Sequence, residues 1–181
     1  MADKEVATKP LKVSGDSASP MSDTDRKTWH DTALGLHQLQ KTGNEAADAV
    51  TTLGAQITTA ETLLKTAGGA PSGGKQALEE AGKRLVELRR QLGVGQTGGG
   101  GGGFGGQNPN VRARIGQLKG QIMGSTSAPT AMQVRSATEA REDLTKAVQE
   151  VNDLIAAVPQ IYDKLGAAGL KPAALTAIKM P

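Results

Sequence analysis

The most regular pattern in the chain runs from Ser22 to Thr66. Counting in sevens from Trp29 reaches Leu36, Gly43, Val50, Ile57 and Leu64, and the series offset by three reads Thr32, Leu39, Ala46, Leu53 and Ala60. Two apolar series offset in this way mark the inner seam of a helix in a bundle or coiled coil. Ser22 or Asp23 supplies a short polar N-cap, Asp25 suits the helix dipole, and Gly68-Gly69 followed by Pro71 ends the helix. At 1.5 Å per residue the rod is roughly 68 Å long. Gly35, Gly43 and Gly54 each cost about 1 kcal/mol relative to Ala, so packing rather than propensity must hold it. Gly43 lies in the seam, where a missing side chain admits a close partner or a bend.

A second helix is predicted over Lys75 to Leu92, with Leu78, Ala81, Leu85, Leu88 and Leu92 on one face. The run Gly93 to Asn110 is glycine-rich and has almost nothing to bury, which predicts a flexible linker over 93–109. Asn110 caps a third helix, Val111 to Met123, with Val111, Ile115, Leu118 and Ile122 on its apolar face. Thr130 caps the last long helix, about Ala131 to Leu165. Its heptads read Val134, Arg141, Val148, Ile155, Tyr162 and, offset, Ala137, Leu144, Val151, Val158, Leu165, with Pro159 expected to kink it or split off its final turn. The tail, 171–181, is weakly patterned, and a docked cap and a frayed end fit it equally.

Two long helices therefore flank two short ones, and the short pair laid end to end nearly matches the long ones in length. The fold expected is all-α: an elongated antiparallel three-helix bundle over 22–170 whose middle leg is interrupted by the Gly-rich loop, with a four-helix up-down bundle as the alternative. The sharper expectation is that Trp29, Leu36, Val50 and Ile57 face Leu144, Val148, Val151 and Ile155 within one chain. Residues 1–21 form an extended arm. In it Glu5 to Val13 alternates around Val6, Leu11 and Val13 with Pro10 inside, which reads as an edge strand. No second strand pairs with it, so the arm is either disordered or the orphan of a β-domain outside this sequence, and the second reading is preferred.

Composition narrows the chemistry. Aromatic residues make up 2% of the 181 and the hydrophobic fraction is 37%, enough for a slim bundle and poor for a sandwich or barrel. A net charge of +3 is too small to predict a polyanion partner, and the absence of cysteine excludes disulfides, thiol catalysis and Cys-based zinc sites. The N-terminus lacks a basic region followed by an apolar run, and no window of about 18 apolar residues could span a bilayer. The chain as written is expected to be soluble, without an export signal of its own.

Several short motifs fail for want of context. Gly69 to Gln76 has the G-x-x-x-x-G-K spacing of a phosphate-binding loop, but a helix precedes it and Gln76 stands where a magnesium ligand belongs. Gly93 to Gly98 matches G-x-G-x-x-G within a tract where glycine alone explains the match. His30 and His37 share a helix face without a third ligand, and read as flank residues. Gly116, Gly120 and Gly124 form a small-residue ladder, meaning close helix packing or low helical stability. Lys83, Arg84, Arg89, Arg90, Arg112, Arg114 and Lys119 make a basic stripe, but with Phe104 alone to stack on a base a solvated face is the better reading. No acid, base and nucleophile fall at a catalytic spacing. No catalytic, cofactor-binding or metal residues are assigned, and no cofactor is expected.

The segments ATKPLKVSGDSASP, SDTDRKTWHDTALGLHQLQKTGNEAADAV and RIGQLKGQIMGSTSAPTAMQVR, followed by a closing long helix, resemble the C-terminal end of large bacterial sortilin-like β-propeller proteins with BNR (Asp-box) repeats, often labelled glycosyl hydrolases. The resemblance implies that Glu5 to Val13 is the last strand of an immunoglobulin-like domain that follows the propeller, and that everything from Ser22 onward is the terminal bundle. It implies an exported parent. Nothing equivalent to the propeller is present, so no glycan-binding or hydrolytic role transfers. The function expected is a non-catalytic helical accessory domain in protein–protein contact, detached from such a parent, with the missing β-domain, another protein or a second copy as partner. The alternative is a stand-alone basic bundle binding an anionic partner or surface.

Overall fold

A computed structural model describes residues 9–11, 21–66, 72–95, 110–166 and 171–181. It is all-α over those residues, with four helices: α1 (Asp23–Thr66), α2 (Ser72–Leu92), α3 (Val111–Met123) and α4 (Ala131–Lys164). The chain signals account for each boundary. Ser22 Oγ accepts from the Asp25 amide at 3.1 Å while Asp25 Oδ2 accepts from the Ser22 amide at 3.2 Å, a reciprocal cap with Asp in the third position. Asn110 caps α3 through the Ala113 amide, and Thr130 and Gln133 form a full capping box on α4. α2 ends in a Schellman motif, with the Val94 amide on the Arg89 carbonyl, the Gly93 amide on the Arg90 carbonyl and Gly93 at φ +66°.

The helix directions follow from particular contacts. Gly74 at the start of α2 lies against the Lys164 carbonyl at the end of α4. Arg89 lies over Gly54 of α1, Arg112 at the start of α3 lies over Gly43, and Trp29 donates from its indole to the Ile122 carbonyl near the end of α3 at 2.8 Å. α2 and then α3 thus run along α1 in the opposite sense. α4 runs parallel to α1, with Leu144 beside Gly43 and the Tyr162 hydroxyl donating to the Gln56 carbonyl at 2.8 Å. α1 and α4 pack on each other and on both short helices, whereas α2 and α3 touch each other sparsely.

The core is built from Leu, Val, Ile and Ala. Leu36, Leu39, Ala46, Val50, Leu53, Ile57 and Ala60 of α1 are buried, as the two series predict. α4 keeps most of its predicted register and adds a row. Leu144, Val151 and Val158 of one predicted series and Val148 and Tyr162 of the other are buried, Val134 and Arg141 are exposed, and Ala140, Ala147, Leu154 and Ile161 form a further buried row. α4 touches three helices, so its buried face is broader than a two-stranded seam and takes in small residues that an apolar count passes over. α1 likewise buries a third row, Thr42, Ala49 and Gln56. Trp29, expected in the seam toward α4, is half-buried and bonded to α3 instead, because the register sets Leu144 opposite Gly43.

Other expectations change in detail. α2 begins at Ser72, one turn before Lys75. α4 continues through Pro159 to Lys164, because the final turns remain packed through Ile161 and Tyr162. Of the predicted arm strand only Lys9, Pro10 and Leu11 are described, without strand structure and with Leu11 87% exposed; the rest of it lies outside the described residues, as does 96–109 of the predicted linker. The tail is docked: 171–181 carries no helix, and Leu175, Ile178 and Met180 pack against the core.

Candidate functional site

The docked tail builds a structured surface feature outside the core. Arg141, Asn152 and Asp163 recur at intervals of eleven residues, about three turns, so α4 presents them on one face over roughly 33 Å. Gln56 ends the third buried row of α1. Between these helices the tail lies extended and antiparallel to α4, since Ala173 is bonded to Gln56, Ile178 to Asn152 and Pro181 to Arg141.

The hydrogen bonds that hold the tail go to its main chain. Asn152 Nδ2 donates to the Ile178 carbonyl at 2.9 Å, and Asn152 Oδ1 accepts from the Ile178 amide at 2.8 Å. One side-chain amide thereby satisfies both backbone groups of one residue, which an unpaired extended segment otherwise leaves to water. Gln56 Nε2 donates to the Ala173 carbonyl at 2.8 Å, and Arg141 Nη1 to the Pro181 carbonyl at 3.1 Å. Gln56 also carries the α1–α4 contact, because its own carbonyl receives the Tyr162 hydroxyl. Burial pushes the Tyr162 phenol above its ordinary value.

Beside the tail a cleft of about 440 Å³ remains. Gln56, Ile155, Pro159, Tyr162 and Asp163 form its helical wall, and Lys171 to Leu175 form the other. Pro159 has no amide to offer, so the Ile155 carbonyl loses its helical partner at this wall.

The motifs singled out in the sequence have structural roles elsewhere. Ser72 to Gln76 form the first turn of α2, and a Cβ on Gly74 would sit 3.0 Å from the Lys164 carbonyl oxygen; this end of the phosphate-loop lookalike serves helix packing, and its start lies outside the described residues. Gly93 makes the Schellman turn and lies under the Asn110 side chain, with Gln96 to Gly98 outside the described residues. A Cβ on Gly116 or Gly120 would meet nothing within 4 Å, so the small-residue ladder is not a packing stripe. Most of the basic stripe is engaged locally. Arg114 pairs with Asp143 at 2.7 Å, Arg90 with Glu87 at 2.5 Å and Arg84 with Asp153 at 3.9 Å, while Lys119 reaches Gln40 and His37 and Arg112 reaches Asn44. Among the described residues no three His, Cys, Asp or Glu group as metal ligands, and no helix is long and apolar enough to cross a membrane.

Sequence reasoning passes over Gln56 and Asn152, and sets Arg141 in the α4 seam rather than on the exposed face that holds the tail. Isolated polar residues on a helix carry no periodic signal of their own. The available clue was the tail itself, where Leu175, Ile178 and Met180 follow Pro172 in a segment with too little periodicity for a helix.

No family model, curated protein or solved structure matches this chain.

Proposed function

We propose that this chain is a non-catalytic helical interaction domain whose working surface is the α1–α4 groove. Its architecture in this reading is a three-legged bundle, with α2 and α3 forming one interrupted leg between α1 and α4. The observation that carries the functional reading is the pair of bonds from Asn152 to the amide and carbonyl of Ile178. A side chain that reads both backbone groups of an extended residue is a device for holding polypeptide. A photo-crosslinking residue at exposed Lys179 on the groove rim, compared with one at exposed Glu80 on α2, tests it in the producing cell. A discrete cross-linked protein from position 179 and not from position 80 supports the reading; equal or absent products from both overturn it.

Kinship with sortilin-like propeller proteins belongs to the same proposal and has a separate test. Coding sequence for a propeller immediately upstream and in frame supports it, and a complete promoter and ribosome site before Met1 counts against it. The anionic-partner alternative gains no support from the basic stripe, since most of its cations are bonded within the chain.

A further inference from the structure

We infer that the α1–α4 groove is a receptor for an extended apolar peptide supplied in trans, and that residues 171–181 are a cis occupant that keeps it closed. This rests on the interaction reading above and names the chemistry of the partner: an unfolded segment with apolar side chains spaced as Leu175, Ile178 and Met180, and a bulky apolar residue just before them.

Three observations carry it. First, Gln56, Asn152 and Arg141 bind the tail through main-chain atoms, which every polypeptide has. Such bonds hold an extended segment without specifying its sequence, as in strand-addition modes of peptide recognition, and leave selectivity to the side-chain positions between them. Second, the buried core cluster is made entirely of helical residues. Leu175, Ile178 and Met180 are half-buried and pack against it from outside, adding to that cluster rather than forming its centre. A segment attached in this way leaves by a local opening rather than by unfolding the bundle. Third, the tail underfills its groove. Where Ala173 and Ala174 pass Pro159 and Tyr162, the cleft of about 440 Å³ remains, space for a side chain much larger than alanine. A partner with a large apolar residue there buries surface that the tail leaves unburied, and so competes for the groove despite the tail's advantage of being tethered.

The test uses the full chain and a fluorescein-labelled peptide with the sequence of residues 171–181, read by anisotropy. Ile178→Asp in the chain unseats the cis tail, and is expected to raise affinity for the labelled peptide at least tenfold over the wild-type chain. Adding Asn152→Ala to that variant is expected to remove the gain. Unlabelled peptides carrying Ala173→Phe or Ala174→Phe are each compared with the parent peptide, and one of them is expected to compete at lower concentration. An Ile178→Asp chain with wild-type helicity and no tighter binding overturns the proposal. Should that variant not fold, hydrogen exchange on the wild-type chain decides: the Ile178 amide is expected to exchange well before those of Leu53 and Val151, and saturating peptide to speed it further without touching those two. Exchange of all three together, unaffected by peptide, overturns the proposal. In that event partner-specific crosslinks at position 179 would still uphold the interaction reading, so the two stand or fall separately.

Discussion

Arg112, in the first turn of α3, donates to the carbonyl of Leu92, the last residue of α2, at 3.2 Å. The same guanidinium holds Asn44 Oδ1 of α1 at 2.9 and 3.2 Å, and its stem passes over Gly43. One side chain thus satisfies a helix C-terminus, where cations are favoured, and ties it to both neighbouring helices. Gly93 and Asn110, at the two described ends of the glycine-rich segment, meet at this junction, where the Asn110 side chain lies over Gly93.

Arg112→Ala is expected to cost about 1–3 kcal/mol, because it orphans the Leu92 carbonyl and removes two bonds to Asn44. Arg112→Lys should recover only part, since an ammonium does not reproduce the fork that reaches both partners. Urea denaturation of the two variants measures both effects.

Glycines in this chain separate by what surrounds them. Gly35→Ala and Gly116→Ala place a methyl where no atom lies within 4 Å, in helix interiors, and should each stabilise by about 0.5–1 kcal/mol. Gly74→Ala sets a Cβ 3.0 Å from the Lys164 backbone oxygen, and should destabilise despite better helix propensity. Thermal melts of the three variants give the two signs.

Tyr162 is the sole tyrosine, so absorbance at alkaline pH titrates it alone. Burial raises its folded-state value above 10.0, because desolvation disfavours the phenolate. The stability tied to this group is therefore full below pH 10 and is lost as pH rises through the folded value. Tyr162→Phe should flatten the alkaline limb of stability while lowering stability at neutral pH, through loss of the bond to Gln56.

Glu87 titrates at the other extreme. Hydrogen bonds from Arg90 and then Gln91 lower its carboxyl from 4.5 to about 2. The pair is intact above 4.5 and is lost as pH falls through about 2. Carboxyl-carbon NMR should follow that midpoint, and Arg90→Gln should move it back toward 4.5.

The helices, their caps and most of the α1 core were legible in the sequence because each depends on local rules: apolar spacing, short polar caps and glycine stops. Leu36, Val50, Leu53 and Ile57 fell where the heptads put them. The buried face of α4 is one row wider than its heptads predict, because Ala140 and Ala147 count as small rather than apolar until a third neighbour covers them. Trp29 was assigned to the wrong partner because periodicity carries no information on register between helices.

What the sequence by itself determined was the all-α class and the position of each helix, since the backbone's hydrogen bonds and caps close within a few residues. Where the tail lies was decided by tertiary structure alone. Leu175, Ile178 and Met180 have no ladder or helix of their own, and they gain a place only because α1 and α4 run parallel at a spacing that brings Gln56, Asn152 and Arg141 to the same extended segment. No local pattern encodes a meeting of residues more than a hundred positions apart, such as Gln56 with Ala173 and Tyr162, because it depends on how the helices pack.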